Sequence, residues 1–342
     1  MSYILPAMIR RPSSIAAQVL PGHAERASPA PPSFGGSAGS GPGTAAVETI
    51  GNTPLLRFTR ITAGLSARVR VVAKAEWMNP GGSVKDRPAA RMILDGERRG
   101  LLRPGRTLLD ATSGNTGIAY AMVGAARGYP VKLCVPANTE RGILGTLKAY
   151  GAQVVLTDAA QGMDGATREA QRILSASPDA YFFPDQLNND ANWMAHYDGT
   201  GNEIWQQTGG RVTHFVAGVG TGGTLVGTGR RLRELNRQVR LVCVQPASPL
   251  HGLEGLRHLQ TAIVPGIYDP SLVDETAAVE TEAAQSMVVR LAREEGIFVG
   301  VSSGAAVVAA LQVAERIEEG VVVTVLPEGG RRFIHQGFWE GA

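Results

Sequence analysis

Short β-branched runs at 69–73, 107–109, 131–135, 154–157, 214–217, 241–245 and 321–326 alternate along this chain with longer amphipathic stretches. Strands that are apolar along their whole length are buried on both faces, and a helix between successive strands lets them run parallel in one sheet. The pattern predicts an α/β fold. Glycine stands between helix and strand in Arg127-Gly128-Tyr129-Pro130 and Tyr150-Gly151-Ala152, where a left-handed cap residue is needed. The one long irregular stretch of the folded part, 246–272, has the length of loops that are functional or mobile. With 342 residues, 44% of them hydrophobic and 18% charged, the chain can bury a core in each of two lobes.

Residues 1–46 are of another kind, rich in Pro, Ala, Ser and Gly, as in Ala27-Ser28-Pro29-Ala30-Pro31-Pro32. Such a composition buries no core, so a disordered tail is expected. Its Arg10, Arg11 and Arg26 against the single acid Glu25 resemble a transit peptide, yet a cytoplasmic protein is the expectation, with organelle import second. No apolar segment approaches the roughly 20 residues that span a bilayer. The net charge of +3 comes without a long basic run, which argues against nucleic-acid binding. Cys134 and Cys243 lie in apolar runs without metal-ligand spacing and read as core residues of a protein from a reducing compartment, with no metal site.

Three glycine-rich turns and one serine carry the chemistry. In Gly218-Val219-Gly220-Thr221-Gly222-Gly223-Thr224, a strand gives way to a helix. Unpaired N–H groups and the helix dipole at such a turn suit a phosphate. A tight turn alone would look the same, and a dinucleotide site uses the same device. A dinucleotide fingerprint, however, sits at a first strand with an acid about 20 residues on, and the residues around position 244 are Val, Gln and Pro. In Thr112-Ser113-Gly114-Asn115-Thr116-Gly117, hydroxyls, a carboxamide and the start of a helix converge, which suits the carboxylate of an amino acid. Lys85 follows Asn79-Pro80-Gly81-Gly82-Ser83-Val84, and Pro88 comes soon after. Proline is tolerated only in a first helical turn, so the helix starts near Arg87 with Lys85 on its approach. An amine desolvated beside backbone donors loses proton affinity, as a Schiff-base lysine requires. Ser302, in Gly300-Val301-Ser302-Ser303-Gly304, either caps the last long helix or hydrogen-bonds a ring nitrogen.

Lysine, phosphate cradle and carboxylate loop together point to pyridoxal 5′-phosphate. The motifs Asn-Pro-Gly-Gly-Ser-Val-Lys-Asp-Arg, Thr-Ser-Gly-Asn-Thr-Gly, Gly-Thr-Gly-Gly-Thr and Gly-Val-Ser-Ser-Gly-Ala-Ala, in this order, resemble those of the cysteine synthase family across residues 48–337. The stretches Asp185-Gln186-Leu187-Asn188-Asn189 and 199–211 look most like its B-type branch, the O-acetylserine sulfhydrylases. The resemblance implies the two-lobed, three-layer αβα fold of fold-type II pyridoxal phosphate enzymes, related to the tryptophan synthase β subunit. A small mobile lobe would span 79–189, and a large lobe 47–78 with 190–342. It implies that Lys85 carries the cofactor and moves the Cα proton, and that Asn115 bonds its 3′-oxygen. Gly220, Thr221, Gly222, Gly223 and Thr224 would hold its phosphate and Ser302 its ring nitrogen, while Thr112, Ser113, Thr116 and Gln186 would hold the substrate carboxylate. A neutral serine leaves the ring nitrogen largely unprotonated, so charge at Cα is short-lived and a β-substituent is lost promptly. The family reaction is β-replacement: an O-activated serine loses its leaving group, and sulfide or a related thiol adds at Cβ. A homodimer, and serine acetyltransferase as a partner, are further implications.

The chain departs from the family where Arg332-Phe333-Ile334-His335-Gln336 replaces a Tyr-Leu-Ser-Thr motif. Arg257 aligns with an arginine that phosphoserine-using relatives employ for the donor phosphate, but acetylserine-using relatives of the B-type branch carry one there too and a solvated loop arginine would look the same, which leaves O-acetyl-L-serine and O-phospho-L-serine both open. The lysine motif is shared with cystathionine β-synthase, so a minimal enzyme of that type, condensing serine with homocysteine, is the alternative. A non-catalytic paralogue and a nicotinamide oxidoreductase are the readings from other classes; an intact Schiff-base lysine speaks against the first and the position of the glycine turn against the second.

Overall fold

The computed structural model describes residues 44–340; the tail expected over 1–46 lies outside them, save for its last three residues. From there the chain runs β1 (Leu55–Arg57), β2 (Val69–Ala75), α1 (Asp86–Arg98), β3 (Thr107–Ala111), α2 (Asn115–Arg127), β4 (Val131–Pro136), α3 (Arg141–Ala149), β5 (Gln153–Thr157), α4 (Gly162–Ala176), β6 (Tyr181–Phe182) and α5 (Asp190–Ala195). A π-helical turn (His196–Gly201) leads to α6 (Asn202–Thr208), β7 (His214–Gly218), α7 (Gly223–Leu235), β8 (Arg240–Pro246), β9 (Glu275–Val279), α8 (Thr281–Glu295), α9 (Val301–Glu315) and β10 (Gly320–Leu326). Every apolar run read as a strand is one. The sequence reading misses β1, β6 and β9, which are edge strands. Paired on one side only, they need no continuous apolar run, and β9 alternates exposed and half-buried residues up to Val279.

The strands form two sheets. The first has six strands in the order β1-β2-β10-β7-β8-β9, and the second has four in the order β5-β4-β3-β6. All pairings are parallel except that of β1 with β2. Alternate residues of the large sheet build two cores, as the two-residue period of a strand requires. Val216, Val242, Val244 and Val322 pack with α8 and α9 on one face. Phe215, Ala217, Leu241, Cys243, Val323 and Val325 pack with Ile204, Leu225 and Leu232 of α6 and α7 on the other. This is the three-layer αβα arrangement of the fold-type II enzymes. Helix α9 is buried almost all round, as expected of a helix that is apolar on every side. Cys134 and Cys243 are free and buried, each within a core, where burial pushes both thiols up to about 11. No helix among the described residues is long and apolar enough to cross a membrane.

Candidate active site

In open parallel sheets the unpaired carboxyl ends of strands, with the loops that follow, are where ligands sit. Here β2 leads to Lys85, β3 to Thr112 and Asn115, β7 to the 220–224 turn, and β10 to Glu328. Lys85 is the residue before α1, as its proline predicts. Its approach is held at several points. Gly82 takes φ +86°, in the left-handed region where other residues are strained. The Gly81 N–H donates to Asp86 Oδ2 (2.6 Å) and the Val84 N–H to the Pro327 carbonyl (2.8 Å), which brings the lysine segment against the end of β10. Burial pushes the Asp86 carboxyl up to about 7.

Directly after it, Arg87 is fixed by two carboxylates. Its Nε donates to Glu76 Oε2 (2.7 Å), Nη1 to Glu203 Oε1 (2.7 Å), and Nη2 to an oxygen of each (2.8 Å). Thr53 and Asn79 donate to Glu76 as well, and buried Lys74 pairs with Glu203. Arg87 and Lys74 hold the Glu203 carboxyl down at about 2 against its burial. The result is a satisfied buried ion cluster under the lysine segment.

Above it, Lys85, Asn115, Gly220, Thr221, Gly222, Thr224, Ser302 and Glu328 line one recess. Gly223 does not reach its wall and is buried behind it. The recess shares Lys85, Asn115, Gly220, Thr221 and Glu328 with a wider cleft, whose wall adds Thr112, Ser113, Thr116, Gln186 and Arg257. All the candidate residues but Gly223 therefore meet on one continuous surface. Within it, the Thr116 hydroxyl donates to Gln186 Oε1 (3.0 Å). Gln186 follows Asp185, a non-glycine residue at φ +50°, where strain of this kind tends to accompany function. Ser302 lies in the first turn of α9 and the capping position belongs to Gly300, so the capping alternative for this serine is removed.

The recess fits pyridoxal 5′-phosphate by its unsatisfied donors. Among the described residues, no hydrogen bond is made by the amides of Gly220, Thr221 and Gly222, by the Ser302 hydroxyl or by Lys85 Nζ. Buried polar groups are normally paired. Unpaired amides at the mouth of α7 match a phosphate, the hydroxyl a ring nitrogen, and the amine an aldehyde. Burial lowers the proton affinity of Lys85, partly offset by the carboxylate of Glu328.

Sequence reasoning missed the supporting residues. Asn192 Nδ2 donates to the Gln186 carbonyl (2.6 Å) and to Thr221 Oγ1 (3.2 Å), and His196 Nε2 is hydrogen-bonded to Thr224 Oγ1 (3.3 Å). Glu328 accepts from Asn115 and Arg332. The last of these had a readable signal, being the second residue beyond an apolar parallel strand. The substituted 332–336 segment divides its work: Phe333 is buried in the core, while Arg332, His335 and Gln336 line a groove beside the cleft.

Comparison with known proteins places the chain. Residues 47–328 match the family model described as pyridoxal-phosphate dependent enzyme. The chain is 50% identical to a cysteine synthase of Aquifex aeolicus over 84% of its length and 90% of that protein. It is 44% identical to cysteine synthase B of Escherichia coli over 85% of its length and 94% of that protein. The crystal structure of O-acetyl serine sulfhydrylase isoform 3 from Entamoeba histolytica superposes with a TM-score of 0.84 at 34% identity, covering 89% of this chain and 94% of that one. With the family model spanning most of the chain and these relatives spanning nearly all of the described fold, the chain belongs to the pyridoxal-phosphate dependent enzymes, within their cysteine synthase group.

Proposed function

We propose that this enzyme forms L-cysteine by β-replacement, from O-acetyl-L-serine and sulfide. The observation that carries the reading is the convergence of an unpaired amine, three unpaired amides and an unpaired hydroxyl on one recess, open to a second loop of hydroxyls. Pyridoxal 5′-phosphate, when bound, supplies an electron sink for charge at Cα of an amino acid.

The protein's own residues do the rest. Lys85, desolvated and with its proton affinity lowered, is an amine suited to covalent attachment and to receiving the Cα proton. Asn115 offers an N–H toward the 3′-oxygen. The amides of the 220–222 turn, with Thr221, Gly223 and Thr224 shaping it, take the phosphate at the positive end of α7. Ser302, neutral, leaves the ring nitrogen unprotonated and so favours prompt loss of the β-substituent. Thr112, Ser113, Thr116 and Gln186 orient the substrate carboxylate and fix which Cα bond is in line. The two lobes, 79–189 and 47–78 with 190–342, close on the cleft and keep water from the reacting carbon. By family resemblance the enzyme works as a cytoplasmic homodimer and accepts the tail of serine acetyltransferase in its cleft.

Arg257 favours a second reading. It lines the cleft, burial lowers its proton affinity, and among the described residues no carboxylate forms an ion pair with it. An arginine so placed suits an anionic donor, and O-phospho-L-serine is one. Steady-state rates of cysteine formation from each donor with sulfide, beside cystathionine formation from serine and homocysteine, test the function. Cysteine from O-acetyl-L-serine is the expected product. Faster cystathionine formation, or no cysteine from either donor, overturns it.

A further inference from the structure

The wall of the recess carries one charged side chain to which the reaction above gives no task. Glu328 is 6% exposed at its side chain and lines both the recess and the cleft. Its backbone is locked, since the Gly300 N–H donates to its carbonyl (3.2 Å) and Ser83 bridges to it. Its Oε2 takes two hydrogen bonds, from Asn115 Nδ2 and from Arg332 Nη1, each 2.7 Å. No hydrogen bond reaches Oε1 among the described residues. One carboxylate oxygen is saturated and the other is open, on the wall that also holds Lys85.

We propose that Glu328 is a positioning residue for both Lys85 and Asn115: its carboxylate stabilises positive charge on the Lys85 nitrogen and fixes the Asn115 amide as a donor into the recess. The inference rests on the cofactor reading above. The two halves follow from one geometry. An amide whose Nδ2 donates to Oε2 has its second N–H left for the recess, because a carboxylate accepts and never donates. A nitrogen that must hold and release a proton in a desolvated recess needs an opposing charge close by, or the proton leaves for water.

Few other charges act here. Lys85 faces Glu328 and, farther off, the buried and neutral His196. Glu328 faces Arg332 and Glu254 besides Lys85. Arg332 is itself divided among Glu328, Glu254 and Glu140, so its charge is largely spent. Burial lowers the proton affinity of the lysine and raises that of the carboxyl.

The test is a visible-spectrum pH titration of the holoenzyme and of Glu328→Gln and Glu328→Asp, with thermal unfolding as a check on folding. Glu328→Gln keeps the volume and an acceptor for Asn115 and removes the charge. The apparent pKa of the Lys85 chromophore falls in it by about one unit or more, while Glu328→Asp, which keeps the charge, recovers at least half of that shift. Loss of the chromophore in Glu328→Gln with retention in Glu328→Asp also supports the proposal. A Glu328→Gln titration matching the wild type, or a Glu328→Asp protein behaving like Glu328→Gln, overturns it. A wild-type protein with no chromophore instead sinks the cofactor reading beneath it.

Discussion

His196 is held neutral in the native protein down to about pH 3: burial, ahead of repulsion from Arg87 and Lys85, lowers it from 6.5. The unfolded chain takes up a proton at this residue below 6.5, whereas the native protein takes it up only near 3. Stability contributed by neutral His196 is therefore full above 6.5 and is lost progressively as the pH falls toward 3. Replacing it by Gln removes this dependence. Chemical denaturation of both proteins should show the wild-type advantage shrinking by on the order of 3 kcal/mol between about pH 6.5 and pH 4; parallel pH dependences would contradict the assignment. Arg257 carries a second prediction at this scale. Arg257→Ala raises KM for O-phospho-L-serine about tenfold or more, as loss of a charge-assisted contact does, and leaves O-acetyl-L-serine nearly unchanged; equal losses refute a phosphate-binding role. Lys85, Asn115 and Thr112 were legible in the sequence because their local setting, glycine turns and a nearby proline, is itself the signal. Glu328 and His196 were not, since what defines each is a partner far along the chain: Asn115 lies 213 positions from Glu328 and Thr224 lies 28 from His196.

Between elements, α7 is seated on α5 and the π-helical turn by close backbone approach. A Cβ on Gly227 would stand 2.0 Å from the Trp193 carbonyl and 2.8 Å from His196 Cβ. Backbone atoms cannot step aside as a flexible side chain does, so Gly227→Ala pushes α7 and its opening turn away from Asn192 and His196. A loss of about 3 kcal/mol of stability is expected, together with faster release of the cofactor on dialysis; a protein unchanged in both would show that this seat does not support the cradle. The buried ion cluster is the other joint, since Arg87 of α1 reaches Glu76 beyond β2 and Glu203 of α6. Arg87→Ala leaves two carboxylates facing each other and should cost about 3–5 kcal/mol in urea unfolding. The parallel strands of both sheets were legible as apolar runs, with the exception of the edge strands β6 and β9. The π-helical turn was not, because an extra residue in a helical turn leaves no mark in the pattern of apolar positions, and Glu203 reads in sequence as one more helix-surface acid.

At the scale of the whole molecule, the cleft residues come from segments beyond the carboxyl ends of six parallel strands, β2, β3, β6, β7, β8 and β10, in two sheets, and from the starts of α2, α7 and α9. Helix starts supply donors, which is why one cleft can receive both a phosphate and a carboxylate. The alternation of strands and helices made the α/β class legible. The strand order was not, because β10, last in the chain, enters between β2 and β7, and no local pattern records which strands become neighbours. The central claim is that Lys85 holds an aldehyde cofactor at the meeting point of these elements. The visible absorption spectrum of the protein as purified, set beside that of Lys85→Ala and followed as O-acetyl-L-serine is added, tests it most directly. The wild type should show a Schiff-base band that shifts on addition of the substrate, and Lys85→Ala should show none; a wild type without the band, or a Lys85→Ala protein that keeps it, contradicts the claim.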